Sequence, residues 1–93
     1  MNLVYTEQAI ADMDMTTAWY ERQLKGLGLE FLASVEQTVF LICENPTIYP
    51  VKHKTLRAAL LRRFPFTVFY EVHEKQIIVH ALFDNRQDPK RLP

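Results

Sequence analysis

RRFPFTVFYEV, residues 62–72, decides the fold. Past Pro65, Phe66, Val68, Tyr70 and Val72 fall on one side, while Thr67, Phe69 and Glu71 fall on the other. That period of two is a β-strand, and the apolar residues on both sides mark one buried on both faces. Arg62 and Arg63 stand directly before it. Permanent charge beside such a strand either keeps a sheet edge soluble or rims a surface that meets an acidic partner.

The pattern continues in both directions. Downstream, Ile77, Val79, Ala81 and Phe83 alternate against Ile78, His80 and Leu82, and His73 to Gln76 allows a tight hairpin between the two strands. Upstream, Leu56, Ala58 and Leu60 alternate with Arg57, Ala59 and Leu61, an imperfect third strand. Residues 46–54, PTIYPVKHK, read as a loop carrying two prolines. Before this loop the period becomes helical. Leu32, Val35, Val39 and Ile42 share a face with Phe31 beside them, predicting a helix from about Leu29 to Glu44 that Asn45-Pro46 ends.

An earlier helix carries the stripe Ile10, Met13, Thr17, Tyr20 and Leu24, with Thr6 as its N-cap and Gly26 past its end. Asn2 to Tyr5 make a short first strand. The GLG turn at 26–28 is short, so the helices fold back on each other as a hairpin. The predicted order is β-α-α-β-β-β, an α+β fold. Its antiparallel sheet carries the N-terminal helical hairpin on one face, in one domain spanning residues 1–93. The hairpin covers only one face, so the apolar residues of the other need a further cover, which points to a partner. The tail NRQDPKRLP is read as polar and irregular.

Composition narrows the function. Apolar residues make up 48% of the chain and glycine occurs twice, as in a packed domain rather than a disordered one. No run approaches the roughly 20 apolar residues of a membrane span, and MNLVYTEQ lacks a signal-peptide layout. The single cysteine, Cys43, is read as a small buried hydrophobe, and its solitude suits a reducing cytoplasm.

Formal net charge is zero, but the halves differ. Residues 1–50 hold two basic and seven acidic side chains (2 − 7 = −5); residues 51–93 hold nine basic and four acidic (9 − 4 = +5). Either the halves attract each other, or one faces something acidic. His53, His73 and His80 lack cysteine or carboxylate neighbours at ligand spacing, so no metal site is expected. No phosphate loop, serine elbow or paired carboxylate occurs either, and no cofactor is implied.

Several blocks together resemble a known family. Ala11 to Met15 with Trp19-Tyr20-Glu21, GLGLEFL at 26–32, ENPTIYP at 44–50, LRAALLRRFPFTVFYEV at 56–72 and IIVHALF followed by RQDP at 86–89 occur in the order found in the RelE/ParE superfamily of type II toxins. The resemblance covers nearly the whole chain. It implies a toxin silenced by a cognate antitoxin protein that wraps the hairpin and sheet. DNA is then met only indirectly, through the antitoxin, and no membrane is involved. The assembly is a homodimer or a toxin–antitoxin hetero-oligomer.

The superfamily divides by target. RelE-like members cleave messenger RNA on the ribosome with arginines, lysines and a late tyrosine or histidine, whereas ParE-like members poison DNA gyrase without that set. Thr67 stands where the RelE-like pattern has an arginine, and Leu92 where it has a tyrosine, while Arg86 matches a second arginine. The departures favour the ParE-like branch, with no catalytic residue. Its expected target contacts are Arg57, Arg63, Arg86, Lys90 and Arg91, with Arg62 as a solvated edge charge. Trp19 is read as core packing, and Asp84 and Asp88 as partners of the nearby cations. The alternatives are a ribosome-dependent endonuclease using Arg86, Lys52 and Lys54 with His80 or Tyr70 as its acid or base, and an inactive relative kept for antitoxin binding.

Overall fold

Prolines and glycines set most of the element boundaries in the computed structural model, which describes all residues from Met1 to Pro93. β1 (Asn2–Tyr5) leads into α1 (Glu7–Gln23) and α2 (Leu27–Glu44). β2 (Val51–His53), β3 (Leu56–Leu60), β4 (Phe66–His73) and β5 (Gln76–Asp84) follow, and a 3₁₀ turn at Pro89–Arg91 closes the chain. Spatially the strands run β1-β5-β4-β3-β2. The α+β class and the β-α-α-β-β-β order are as expected, with one short strand, β2, added before the last three.

Thr6 caps α1 by accepting the Ala9 N–H at 3.1 Å, and its own hydroxyl donates to the His80 carbonyl at 2.9 Å. One side chain thereby starts a helix and ties it to β5. Gly26 sits at φ +89°, a left-handed turn residue with no side chain to cap α2. Glu21, reaching over from α1, supplies the missing cap. Its carboxylate accepts the Gly26 N–H at 2.9 Å and the Gly28 N–H at 3.0 Å. An acidic group at this N-terminus also suits the helix dipole. This cap lets α2 begin at Leu27, two residues earlier than the apolar spacing predicts.

The sheet is mixed. β1 runs parallel to β5, and all other neighbours are antiparallel. A parallel pair needs a long crossover, here the whole stretch between the two strands. The predicted 46–54 loop also contains β2, a three-residue edge strand beside β3. It is too short to show a period, and Pro50 hides it further. That proline lacks an N–H, yet its carbonyl accepts from Ala58 N at 3.1 Å.

β5 departs from the expected single alternation. Tyr70 pairs with Val79 but Phe69 pairs with Ala81, so His80 is an extra residue, a β-bulge. Past it the faces exchange. Ile77, Val79 and Leu82 enter the main core, while Ala81 and Phe83 turn to the outer face. The expected set of Ile77, Val79, Ala81 and Phe83 is therefore broken in the middle.

The main core lies between hairpin and sheet. From α2 it takes Phe31, Val35, Val39 and Ile42, but from α1 only Ala9 and Tyr20. Ile10 and Leu24 of the predicted α1 stripe stay 48% and 62% exposed, so the helix is rotated toward Ala9. At the centre Phe31 stacks on Tyr20 at 5.3 Å and meets Phe64 and Phe66 edge-on at 5.2 and 5.3 Å. Tyr70 is fully buried, as expected, and its hydroxyl donates to the Pro46 carbonyl at 2.7 Å. Two further expectations are corrected: Cys43 lies on the exposed side of α2, and Trp19 is 43% exposed, edge-on to Tyr20 rather than inside the core.

The outer sheet face has a cover that the polar tail did not advertise. Leu56, Ala58 and Phe69 are buried there beside Phe83, and Leu92 of the tail packs onto them. Leu60 at the rim of this face stays 66% exposed, and a larger set of exposed apolar side chains lies on the hairpin: Met15, Trp19, Leu24, Leu29, Phe40 and Leu41. No helix is long and apolar enough to cross a membrane.

Candidate functional site

The five arginines and lysines expected to meet a target are not equally free. Arg57 faces the hairpin side, paired across from Tyr70, and its Nη1 donates to the carbonyls of Thr47 and Tyr49 at 3.2 and 2.6 Å. It thereby ties down the loop between α2 and β2. Arg63 donates to Glu30 at 2.9 Å and lies 5.8 Å from the Phe64 ring centroid, linking the β3–β4 connection to α2. Both arginines have partners within the chain.

Arg86 is held differently. Its Nε and Nη2 reach both oxygens of Asp84 at 2.9 Å each, and its backbone N–H donates to Asp84 Oδ1 at 3.0 Å. The guanidinium lies 6.0 Å from the Phe66 ring centroid. Hydrogen bonding from Arg86 holds the Asp84 carboxyl below its usual range despite some burial, and the same bond raises Arg86 further. A two-pronged grip of this kind fixes the plane of the guanidinium. Two of its five N–H groups are thereby engaged by Asp84, and Tyr20 lies against the same guanidinium. Thr67, where the RelE-like pattern has arginine, is buried with its hydroxyl on Asn85 at 2.7 Å, bracing the same turn.

Beside this pair runs a groove. One part, about 590 Å³, lies between α1, the end of β5 and the tail, with Arg91 on its rim. A second part, about 470 Å³, continues past Trp19 and Arg22 to Arg86, and the two share Met15, Thr16, Phe66 and Asp84. β1 pairs only with residues 76–79, so β5 has an open edge here. Asp12 closes part of it by accepting the Leu82 N–H at 3.1 Å. Arg86 and Arg91 thus share one groove, with Lys90 next to Arg91, while Arg57 and Arg63 do not line it.

The acidic half is the hairpin layer and the basic half supplies most of the sheet. Of the two arginine–carboxylate pairs, Arg63–Glu30 joins the halves and Arg86–Asp84 lies within the second; the His73–Glu74 and His80–Glu71 contacts also lie within the second half. Mutual neutralisation therefore does not account for the charge split.

Acid–base candidates are engaged elsewhere. Burial pushes the Tyr70 hydroxyl up to about 12, and its proton is committed to Pro46. His80 Nε2 lies 2.7 Å from Glu71 Oε1, and His53 Nε2 lies 2.7 Å from the Pro93 oxygen. Lys52 and Lys54 flank His53 at the β2–β3 turn, away from the groove lining. The sequence reading missed three contributors: Asp12, the Trp19 edge and His53. The Asp84–Arg86 spacing was its one available local signal.

The family model for the ParE toxin of type II toxin–antitoxin systems (parDE) matches residues 3–89. The chain belongs to the ParE toxin family. The toxin resemblance is thereby established, and with it the ParE-like rather than the RelE-like branch. No curated protein matches the chain by sequence. Among solved structures, a chain described as "Chromosomal ParDE TA system from P. aeruginosa" superposes with a TM-score of 0.80 at 22% identity, covering 90% of this chain and 95% of that one. At that identity the likeness bears on the fold alone.

Proposed function

We propose that this ParE-family toxin acts in the cytoplasm as a non-enzymatic inhibitor of DNA gyrase and is neutralised by a cognate antitoxin. The observation that carries this reading is the groove itself. Its lining joins Arg22, Arg86 and Arg91 to an aromatic edge at Trp19, and its two carboxylates, Asp12 and Asp84, are both held in hydrogen bonds. Such a surface suits binding to an acidic partner. The exposed apolar side chains of the hairpin suit an antitoxin that lays a helix or strand over it, with any operator DNA reached through that partner.

The test is pulse labelling of DNA and protein synthesis just after induction without antitoxin. DNA synthesis is expected to fall first, and purified gyrase to be inhibited. A first fall in protein synthesis returns the messenger RNA endonuclease, for which Lys52 and Lys54 on one turn are the supporting feature.

The double substitution Arg86→Ala/Arg91→Ala is expected to weaken target binding by roughly tenfold or more. Both side chains are largely exposed, so melting should stay within about 5 °C of the parent. A double variant that arrests growth at full strength places the site elsewhere.

A further inference from the structure

The segment after β5 is anchored beyond its basic residues. Leu92 is half-buried on the outer-face cluster of Leu56, Ala58 and Phe69. One residue on, the Pro93 oxygen lies 2.7 Å from Nε2 of His53 on β2, a bond the imidazole makes by donating its N–H. The His53 ring is itself set against Phe69, with centroids 6.4 Å apart. Before these anchors, Asp88 caps the 3₁₀ turn: its carboxylate accepts the Lys90 N–H at 2.9 Å and its carbonyl the Arg91 N–H at 2.9 Å. Lys90 and Arg91 are therefore suspended between two fixed ends, the Asp84–Arg86 pair and the Leu92–His53 seat.

We infer that His53 and Leu92 are positioning residues that hold the Lys90–Arg91 turn in register with Arg86. The inference rests on the reading of Arg86 and Arg91 as target contacts. Neither anchor needs to touch the target; both act through the strap they hold. A loose tail would carry the same charges to a partner, but each residue ordered on binding would then subtract from affinity. The seat removes that loss in advance.

Limited trypsin digestion of the intact chain, read beside growth arrest, tests this. Trypsin reaches the bonds after Lys90 and Arg91 when the segment leaves its seat. In His53→Ala and Leu92→Ala, cleavage there should rise about five- to tenfold relative to cleavage after Arg22 and Lys25. Growth arrest should weaken alongside. His53→Gln, which keeps an amide N–H at a similar reach, should restore both. Cleavage unchanged in the alanine variants overturns the anchoring. Faster cleavage with growth arrest at full strength overturns the positioning role. Failure of the target reading appears separately, as full arrest by the Arg86→Ala/Arg91→Ala variant, whatever the digestion shows.

Discussion

Phe31→Ala is expected to lower the melting temperature by roughly 15–30 °C, the largest effect of any single truncation in this chain. Phe31 is completely buried and is the ring on which Tyr20, Phe64 and Phe66 converge. Those three come from α1, the β3–β4 connection and β4, so one side chain joins both layers. Truncating a buried phenylalanine costs about 3–5 kcal/mol, and the aromatic contacts place this site toward the upper end. A domain of this size has only about 5–14 kcal/mol in hand. Thermal unfolding followed by far-UV circular dichroism checks it. A shift below about 5 °C would mean that the neighbouring rings close the gap, and the hairpin would not depend on this cluster.

Gly28→Ala is expected to destabilise, although helix propensity alone predicts a gain of about 1 kcal/mol inside a helix. A Cβ at Gly28 would stand 2.7 Å from the Thr17 backbone carbonyl, 3.0 Å from Glu21 Oε1 and 3.1 Å from Glu21 Cβ. The carbonyl belongs to the middle of α1 and cannot swing aside. Either the two helices part, or Glu21 loses the Gly26 and Gly28 N–H groups that it caps. Overpacking of this kind costs about 1–3 kcal/mol, and loss of a cap about 0.5–2 kcal/mol. A gross cost of about 2 kcal/mol exceeds the propensity gain, so denaturant titration should show a net loss of about 1 kcal/mol. The sign is the decisive readout, since a stabilised variant would show that the helices do not meet closely at this point.

How far the residues could be read in advance followed the length over which a pattern repeats. β4 and α2 were legible because each runs through several periods with the other face of the chain agreeing. β2 was not, since three residues beside a proline display no period. The bulge at His80 escaped because its neighbours are apolar on both sides of the strand, so a slip by one residue leaves no polar mismatch to betray it. α1 was misread by about one position for a related reason: few of its residues are buried at all, and small Ala9 rather than large Ile10 takes the place against the sheet. At the candidate site, the Asp84–Arg86 pair was within reach because it is local. The His53–Pro93 bond, closed across 40 residues, was not. The tail's polar composition likewise hid a single leucine that covers the outer face.

The layering of charge has a consequence for encounters in solution. With an acidic hairpin stacked on a basic sheet and one ion pair between them, the molecule has a sequence pI near 6.8 yet is a dipole. A neutral sphere would approach its partners at a rate indifferent to ionic strength. A dipole does not: its field turns it before contact, and added salt shortens the range over which that happens to about a Debye length. Two partners of opposite charge would each be offered a different pole, and neither would have to search the whole surface.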